Sequence, residues 1–422
     1  MLSLSRIRET ADALQKSISL KGEKIDFSLL LHLDEQHRKI LTEINDLRAE
    51  RNRVSEEIAH VKRSGGDAAN AIATMREVGG QIKLLETKAV ELQEEIRSIL
   101  ELIPNVPHES VPKGNCEKDN KVVKEWGERP VFDFSIKDHI ELGSSLGLFD
   151  FERSAKISGS GFPLFTGQGA KLERALINFM LDFHVDHHGF TEIFPPFMAR
   201  GSAPFTVGQL PKFAEDMYFT EKDELFLIPT AEVPVTNIHK DEILDEQDLP
   251  KNYTAYSACF RREAGSYGKE TRGLLRVHQF NKVEMVKFVE PKSSYDELKL
   301  LVQNAEAILQ ALGLHYRVIE LCTGDLSFSA AKCYDLEVWS PAEENWLEVS
   351  SCSNFEDFQA RRGNIRYRRS LDHKTAFVHT LNGSGVATPR LTVALLESYQ
   401  TRDGIVIVPK ALQPYVGKEV LI

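Results

Sequence analysis

The chain has 422 residues, too many for one ordinary compact domain and enough for a large core with an attached module. Charged residues make up 27% and apolar residues 42%, which excludes wholesale disorder, and no apolar run approaches the length that a membrane span needs. A net charge of -11 argues against an average surface that attracts nucleic acid, but not against a local basic patch, because a few clustered cations make the phosphate contacts.

The first residues carry Arg6 and Arg8 with no apolar block behind them, so no secretory signal is expected and the protein reads as cytoplasmic. Five cysteines, Cys116, Cys259, Cys322, Cys333 and Cys352, form an odd set without a CxxC pair. That pattern argues against a disulfide framework and against a structural zinc, and predicts small buried hydrophobes.

From Leu33 the apolar positions Leu33, Ile40, Ile44, Leu47, Val54, Ile58 and Val61 alternate three-four steps, with Arg51 at the one polar step. This is the seam of a coiled coil. Ser64, Gly65 and Gly66 break it, and Ile72, Met75, Ile82, Leu85, Ala89, Leu92, Ile96, Ile99 and Ile103 repeat the spacing. Two helices joined by a short turn run antiparallel, and at ~1.5 Å per residue the hairpin extends about 50 Å. Spacing alone fits a dimerising or purely structural coil as well as a binding arm. Arg48, Arg51, Arg53, Lys62 and Arg63 gather near its tip, diluted by Glu50, Glu56 and Glu57, as candidates for an RNA backbone contact.

Pro104, Pro107, Pro112 and Gly114 interrupt helical order, so the chain divides into an arm over 1–106, a linker over 107–121 and a body over 122–422. In the body, 172–187 has helical period, Gly189 ends it, and 190–194 reads as a strand stopped by Pro195 and Pro196. Strands are expected over 254–263, 274–289, 334–339 and 346–351, and helices over 293–312 and 390–400. Strands with few strict strand-helix-strand alternations predict an α+β domain on an antiparallel sheet.

Neither common phosphate loop is present. Gly268-Lys269 lacks the other elements of a Walker loop, and Gly159 with Gly161 lacks the third glycine of a dinucleotide fingerprint. The segment Tyr256-Ser-Ala-Cys-Phe-Arg-Arg-Glu263 leads through a glycine-rich loop, 264–273, to Leu274-Leu-Arg-Val-His-Gln-Phe-Asn-Lys-Val-Glu284. In extended chain Arg261 and Glu263 share one side, as do Phe280 and Glu284. A guanidinium suits phosphate, a ring suits a base, and carboxylates suit amino groups, although the same residues could form a surface ion-pair ladder. A long loop between two firm strands favours a binding loop.

This strand-loop-strand resembles motif 2 of the class II aminoacyl-tRNA synthetases in its seryl-tRNA synthetase form. Leu227-Ile-Pro-Thr-Ala-Glu-Val233 resembles that family's serine-binding segment, Glu348-Val-Ser-Ser351 its metal and ATP segment, and Asn382-Gly-Ser-Gly385 with 387–390 its motif 3. Asp357-Phe-Gln-Ala-Arg-Arg362 is a further family stretch, and the helix ended by Gly189 with the following strand resembles motif 1, a dimer interface. Val386, Thr388-Pro389 and Phe355-Glu356 depart from the common pattern, the last replacing a Cys-Gly and so removing a potential metal ligand.

The resemblance implies a two-step ligase that forms seryl-adenylate from L-serine and ATP, with Mg²⁺, and then charges tRNA(Ser) as a homodimer, tRNA(Sec) being a further candidate substrate. It implies catalytic roles for Arg261 and Arg390. It implies a serine pocket of Thr230, Ala231, Glu232, Arg261, Glu284 and Ser384. ATP would meet Arg261, Arg262, Glu263, Arg276, Val277, Phe280, Glu348, Val349, Ser350, Ser351 and Arg390, and Glu348 and Ser351 would hold the metal. The arm would reach a tRNA held over the other subunit. His278 and the other histidines read as structural. Two other classes compete: a synthetase-like ligase acting on a carrier protein, whose known members lack the hairpin, and a non-catalytic RNA-binding paralogue, which loss of Arg261, Glu348 or Arg390 would have signalled.

Overall fold

The computed structural model describes residues 1–263 and 272–422, so most of the glycine-rich loop lies outside the described residues. By internal contacts the chain falls into two units: residues 2–19 with 23–103, and residue 1 with 20–22 and 104–422.

The first unit is three helices, α1 (Leu4–Ser19), α2 (Ser28–Arg63) and α3 (Ala69–Glu101). The 36 residues of α2 give a rod of about 54 Å. Every seam residue expected between Leu33 and Ile103 is buried or half-buried, while Arg51 is exposed, so the polar step costs no burial. Ser64 caps α2, Gly65 turns with φ +79°, and the Asp67 side chain accepts from the Ala69 amide at 2.9 Å to start α3. Helix α1 was not expected. Its signal was present, since Ile7, Leu14 and Ile18 form its buried stripe. Asp34, nearly buried on α2, joins the two helices by accepting from Arg8 and Arg38, both at 3.0 Å.

The second unit is built on eight strands: β1 (Lys121–Trp126), β2 (Thr191–Ile193), β3 (Lys251–Phe260), β4 (Gln279–Val289), β5 (Tyr316–Glu320), β6 (Lys332–Ser340), β7 (Asn345–Asn354) and β8 (His379–Ala387). They form one sheet in the order β1-β5-β6-β7-β8-β4-β3-β2, antiparallel at every pair except β2 with β3. Three helices, α4 (Gly167–His188), α5 (Ser294–Ala311) and α7 (Thr388–Ser398), bury apolar stripes on one face. A short helix, α6 (Phe358–Gly363), packs on the other through Ala360 beside Val286 and Phe288. Alternation along β4 separates the faces: Val283, Met285 and Val289 enter the helix-covered core, and Phe280, Lys282 and Glu284 face the opposite side.

Apart from a 3-10 turn at Glu117–Asp119, residues 104–120 are irregular, as their prolines require, yet they belong to this unit: Val111 packs with Ile319, Leu321 and Phe355, and Asn105 donates to the Ser329 and Phe355 carbonyls at 2.9 Å. The expected strand over 274–289 starts only at Gln279, and that over 254–263 ends at Phe260: the Arg261 amide still donates to the His278 carbonyl at 2.9 Å, but the His278 amide turns to the Gly161 carbonyl and Glu263 adopts φ +50°. Four cysteines are buried, whereas Cys116 is exposed; all five are free.

Candidate active site

The face of β4 opposite the helices opens into a cavity of ≈ 390 Å³. From β4 come Phe280, Lys282 and Glu284, at successive even positions of one pleat. Arg261 reaches it on the odd-numbered pleat of β3, whose Ser257 and Cys259 stand opposite Lys282 and Phe280, whereas Glu263, with φ +50°, enters past the end of the strand.

Two bulges aim the remaining strands. On β7, Glu348 and Ser351 are three apart and would face opposite sides of a regular strand. The pairing with β6 runs Leu336 to Ser350 and then Glu337 to Glu348, leaving Val349 without a partner. That extra residue turns Glu348, Ser351 and Ser353 all toward the cavity. On β8, Ser384 pairs with Glu284 and Val386 with Val283, skipping Gly385, so Asn382, Ser384 and Ala387 share the cavity side. Glycine is required at this bulge, because an added Cβ would lie 2.4 Å from His184 Nε2. Burial pushes His184 down to about 3, so its ring is neutral, and Nε2 meets the Gly385 carbonyl at 3.2 Å. Beyond the bulge Thr388 donates to Glu173 of α4, tying the start of α7 to the same helix.

Among the described residues four cations, Arg261, Arg276, Arg390 and Lys282, and four carboxylates, Glu232, Glu263, Glu284 and Glu348, line the cavity. Arg390 is held by its Nε donating to the Leu275 carbonyl at 3.0 Å and its Nη1 to the Glu348 carbonyl at 3.1 Å. Arg276 pairs with Glu263 at 2.7 Å, and the Arg261 guanidinium lies 5.1 Å from the Phe280 ring centre. His278 meets the Arg261 carbonyl through Nδ1 at 3.1 Å and accepts the Arg261 amide on its own carbonyl at 2.9 Å, so it holds the backbone of Arg261 on both sides.

Glu232 and Glu284 are both buried. Thr230 Oγ1 donates to Glu284 at 2.5 Å and accepts the Glu232 amide at 3.1 Å, and Lys282 pairs with Glu284. The second oxygen of Glu284, Oε1, is buried with no partner, an opening for a donor. Desolvation first, and the neighbouring Glu284 charge second, push Glu232 up to about 7.

Thirteen of the residues expected in the site therefore line one cavity: Thr230, Glu232, Arg261, Glu263, Arg276, Val277, Phe280, Glu284, Glu348, Val349, Ser351, Ser384 and Arg390. Ala231, Arg262 and Ser350 do not. Ala231 is in the apolar cluster beside Val235, since its side chain points away from the Thr230 and Glu232 side. Arg262 is exposed, its Nε donating to the Met217 carbonyl at 3.0 Å and its guanidinium lying over Tyr218. Ser350 falls on the other side of the bulge, where its hydroxyl donates to the Ser384 carbonyl at 2.6 Å. Lys282 was missed although the period of β4 places it between Phe280 and Glu284. The lining from Gly208, Gln209, Phe213 and Ser327 comes from loops that carry no periodic signal.

One other group of potential ligands, His139, Glu343 and Glu397, lies among the described residues. Its two buried members are already engaged with the protein. Glu397 accepts from the His139 amide, His139 Nδ1, Ser340 and the Ala342 amide, and His139 Nε2 accepts the Leu274 amide at 3.3 Å.

Comparison with known proteins fits both units. Residues 1–107 match the seryl-tRNA synthetase N-terminal domain, and residues 215–399 match the tRNA synthetase class II core domain (G, H, P, S and T). The chain is 54% identical to the serine–tRNA ligase of Chlorobium phaeobacteroides, over 99% of this chain and 98% of that protein. The chain belongs to the seryl-tRNA synthetase family. It is likewise 55% identical to the serine–tRNA ligase of Syntrophobacter fumaroxidans over 99% of each chain. The structure of the seryl-tRNA synthetase from Pyrococcus horikoshii complexed with ATP superimposes with a TM-score of 0.94 at 39% identity, covering 100% of this chain and 99% of that one. Among the described residues no helix is long and apolar enough to cross a membrane.

Proposed function

We propose that the cavity is where this seryl-tRNA synthetase family member joins serine to ATP and passes the product to tRNA. The serine carboxylate oxygen attacks the α-phosphorus, the bond to pyrophosphate breaks, and seryl-adenylate forms. The terminal ribose hydroxyl of tRNA then attacks the adenylate carbonyl and AMP leaves. No side-chain nucleophile takes part, so the chain's contribution is position and charge.

Arg261, at the junction of the acidic lobe and Phe280, neutralises the serine carboxylate and the α-phosphate as they meet. Phe280 offers its ring to adenine and Glu263 its carboxylate to the adenine edge, while Arg276 and Arg390 take the outer phosphates. Glu232, Glu284, Thr230 and Ser384 form the serine pocket. The unpartnered Glu284 oxygen supports this reading, because a buried acceptor costs stability unless a ligand donor meets it. Alanine leaves that acceptor unmet, which favours serine.

Glu348 and Ser351 would hold a Mg²⁺. The residues fit the ion: Glu348, the Ser351 hydroxyl and Asp335, paired with Ser351 across β6 and β7, are oxygen donors, and desolvation and then the Glu348 charge push Asp335 well above the usual carboxylate range, so its ionised form calls for a cation beside it. When bound, Mg²⁺ would neutralise phosphate oxygens.

Pairing of two copies through α4, β2 and the following segment is supported by the exposed ring of Phe194 beside Phe197 and Tyr256. Arm residues Arg51, Lys62 and Arg63 are offered to the tRNA backbone; Arg48 and Arg53 already pair with Glu86 and Glu57 at 2.7 Å. A cytoplasmic location accords with this work.

The observation that carries the proposal is the meeting of Arg261, the Glu232 and Glu284 pair, and Arg390 in a single cavity. Serine-dependent ATP–pyrophosphate exchange tests it, followed by aminoacylation with tRNA(Ser) and tRNA(Sec). Exchange with serine and none with alanine is expected. A folded protein that exchanges with neither contradicts it.

A further inference from the structure

The stretch Asp357 to Arg362 has no residue in the cavity, yet one of its side chains touches the serine pocket from behind. Gln359 on α6 is 1% exposed, and its Nε2 donates to Glu232 Oε1 at 2.7 Å. Its Oε1 accepts from Thr380 Oγ1 at 2.7 Å. Thr380 is fully buried on β8, and it stands on the same pleat face as Asn382 and Ser384, one step behind the cavity.

We propose that Thr380 and Gln359 are positioning residues for serine: a hydroxyl-to-amide-to-carboxylate chain that turns the Glu232 carboxylate toward the amino acid. The proposal rests on the assignment of Glu232 to the serine pocket.

The chain has a direction. An amide can present either its oxygen or its nitrogen, and only the nitrogen can donate to a carboxylate. Facing Glu232 with oxygen would set two acceptors together in a buried site, which is costly. The carboxylate selects against that flip, and the Thr380 hydroxyl completes the arrangement by donating to the amide oxygen on the far side. A second donor path fixes the other end of Glu232, whose amide donates to Thr230. The donated bond also favours the charged carboxylate against the desolvation and the Glu284 charge that oppose it. Gln359 thus sets both the aim and the charge of a residue that meets serine, without meeting serine itself. Among the described residues no hydrogen bond or ion pair joins the three side chains to Arg276 or Arg390, the residues assigned to the outer phosphates.

The test is steady-state pyrophosphate exchange by the full-length protein, with KM measured separately for serine and for ATP, on Thr380→Val, Thr380→Ser and Gln359→Glu. Valine keeps the shape of threonine and removes the donor. It is expected to raise KM for serine about five- to tenfold, the cost of one buried hydrogen bond, with KM for ATP within about twofold. Thr380→Ser keeps the hydroxyl and is expected to restore serine KM to within about twofold of the wild type. Gln359→Glu replaces the donor with an acceptor and is expected to raise serine KM about a hundredfold, again with ATP spared. If Thr380→Val does not fold, Gln359→Glu, which exchanges one terminal group, carries the same comparison. Unchanged serine KM in both variants, or equal rises for serine and ATP, would overturn the proposal, as would a serine variant no better than valine. A wild-type protein without serine-dependent exchange would instead overturn the functional reading on which it rests.

Discussion

The arm and the body use polar residues in opposite ways. In the arm, charged side chains other than Asp34 stand largely in water, ion pairs such as Arg48 with Glu86 are about half exposed, and the seam is apolar but for Arg51 and contiguous in sequence. Such pairs add little to stability, so the arm's surface is free to change without cost to its fold. In the body the informative residues are buried and polar: Glu232, Gln359 and Thr380 are satisfied by one another from distant parts of the sequence, and Glu284 is met by Lys282 and Thr230 on one oxygen while the other stays open. Their placement depends on two bulges and on the partners that hold them. The comparison teaches where function is concentrated: substitutions in the cavity should act sharply on one substrate, and those on the arm weakly and in sum.

The largest effect is expected from Arg261→Ala, which removes the cation between the two reacting groups and no core volume. Exchange should fall by about 10²- to 10³-fold with the thermal unfolding midpoint little changed. Near-normal exchange by the folded variant would remove Arg261 from its role and blur the contrast.

Smaller and more selective losses belong to the serine pocket. Glu284→Gln should raise serine KM about 10- to 100-fold, and Ser384→Ala by about fivefold, with the ATP dissociation constant nearly constant in both. A selective rise for ATP would show that these residues serve the nucleotide.

Glu232 gives a pH signature. Its carboxyl is raised to about 7, so it is protonated on the acid side of that value and ionised above it. The groups facing it are Glu284, Gln359, Lys282 and Arg261. Serine carries an ammonium that binds the ionised form, so serine KM should rise as pH falls through about 7, approaching a tenfold change per pH unit. The ATP constant should not follow it. Measuring both constants from about pH 6 to about pH 8.5 sharpens the comparison, since nothing on the arm should move either.

The smallest single effects are on the arm. Charge reversal of Arg51, Lys62 and Arg63 should leave exchange untouched, weaken tRNA binding, and reduce the slope of log affinity against log salt by about 0.9 for each phosphate no longer neutralised. Arg48 and Arg53, already paired, should contribute less. Equal losses in exchange would break the separation of the two regions.

The same difference explains what the sequence disclosed. The arm was legible because a helix repeats its packing locally, and every apolar seam residue from Leu33 to Ile103 is at least half-buried. Only α1 escaped, its stripe being short. In the body, β4 was legible by period two, which placed Phe280 and Glu284 together and could have placed Lys282. Glu348 and Ser351 were reached by family resemblance; spacing alone puts them on opposite faces, and only the unpaired Val349 brings them together. Ala231, Arg262 and Ser350 were carried into the site by neighbourhood in sequence, and alternation or the bulge turns each away. Gln359 and Thr380 have no sequence signal for their hydrogen bond, because α6 and β8 meet only in three dimensions.

The central claim is that adenylate chemistry belongs wholly to the body and tRNA recruitment to the arm. Its most direct test is paired exchange and aminoacylation assays on one preparation of the chain begun at Pro104, which keeps the packed segment holding Asn105 and Val111. The account predicts serine-dependent exchange within about threefold of the full chain, and aminoacylation at ordinary tRNA concentrations reduced by about a hundredfold or more. Unharmed aminoacylation, or loss of exchange in a truncated protein that remains folded, would contradict it.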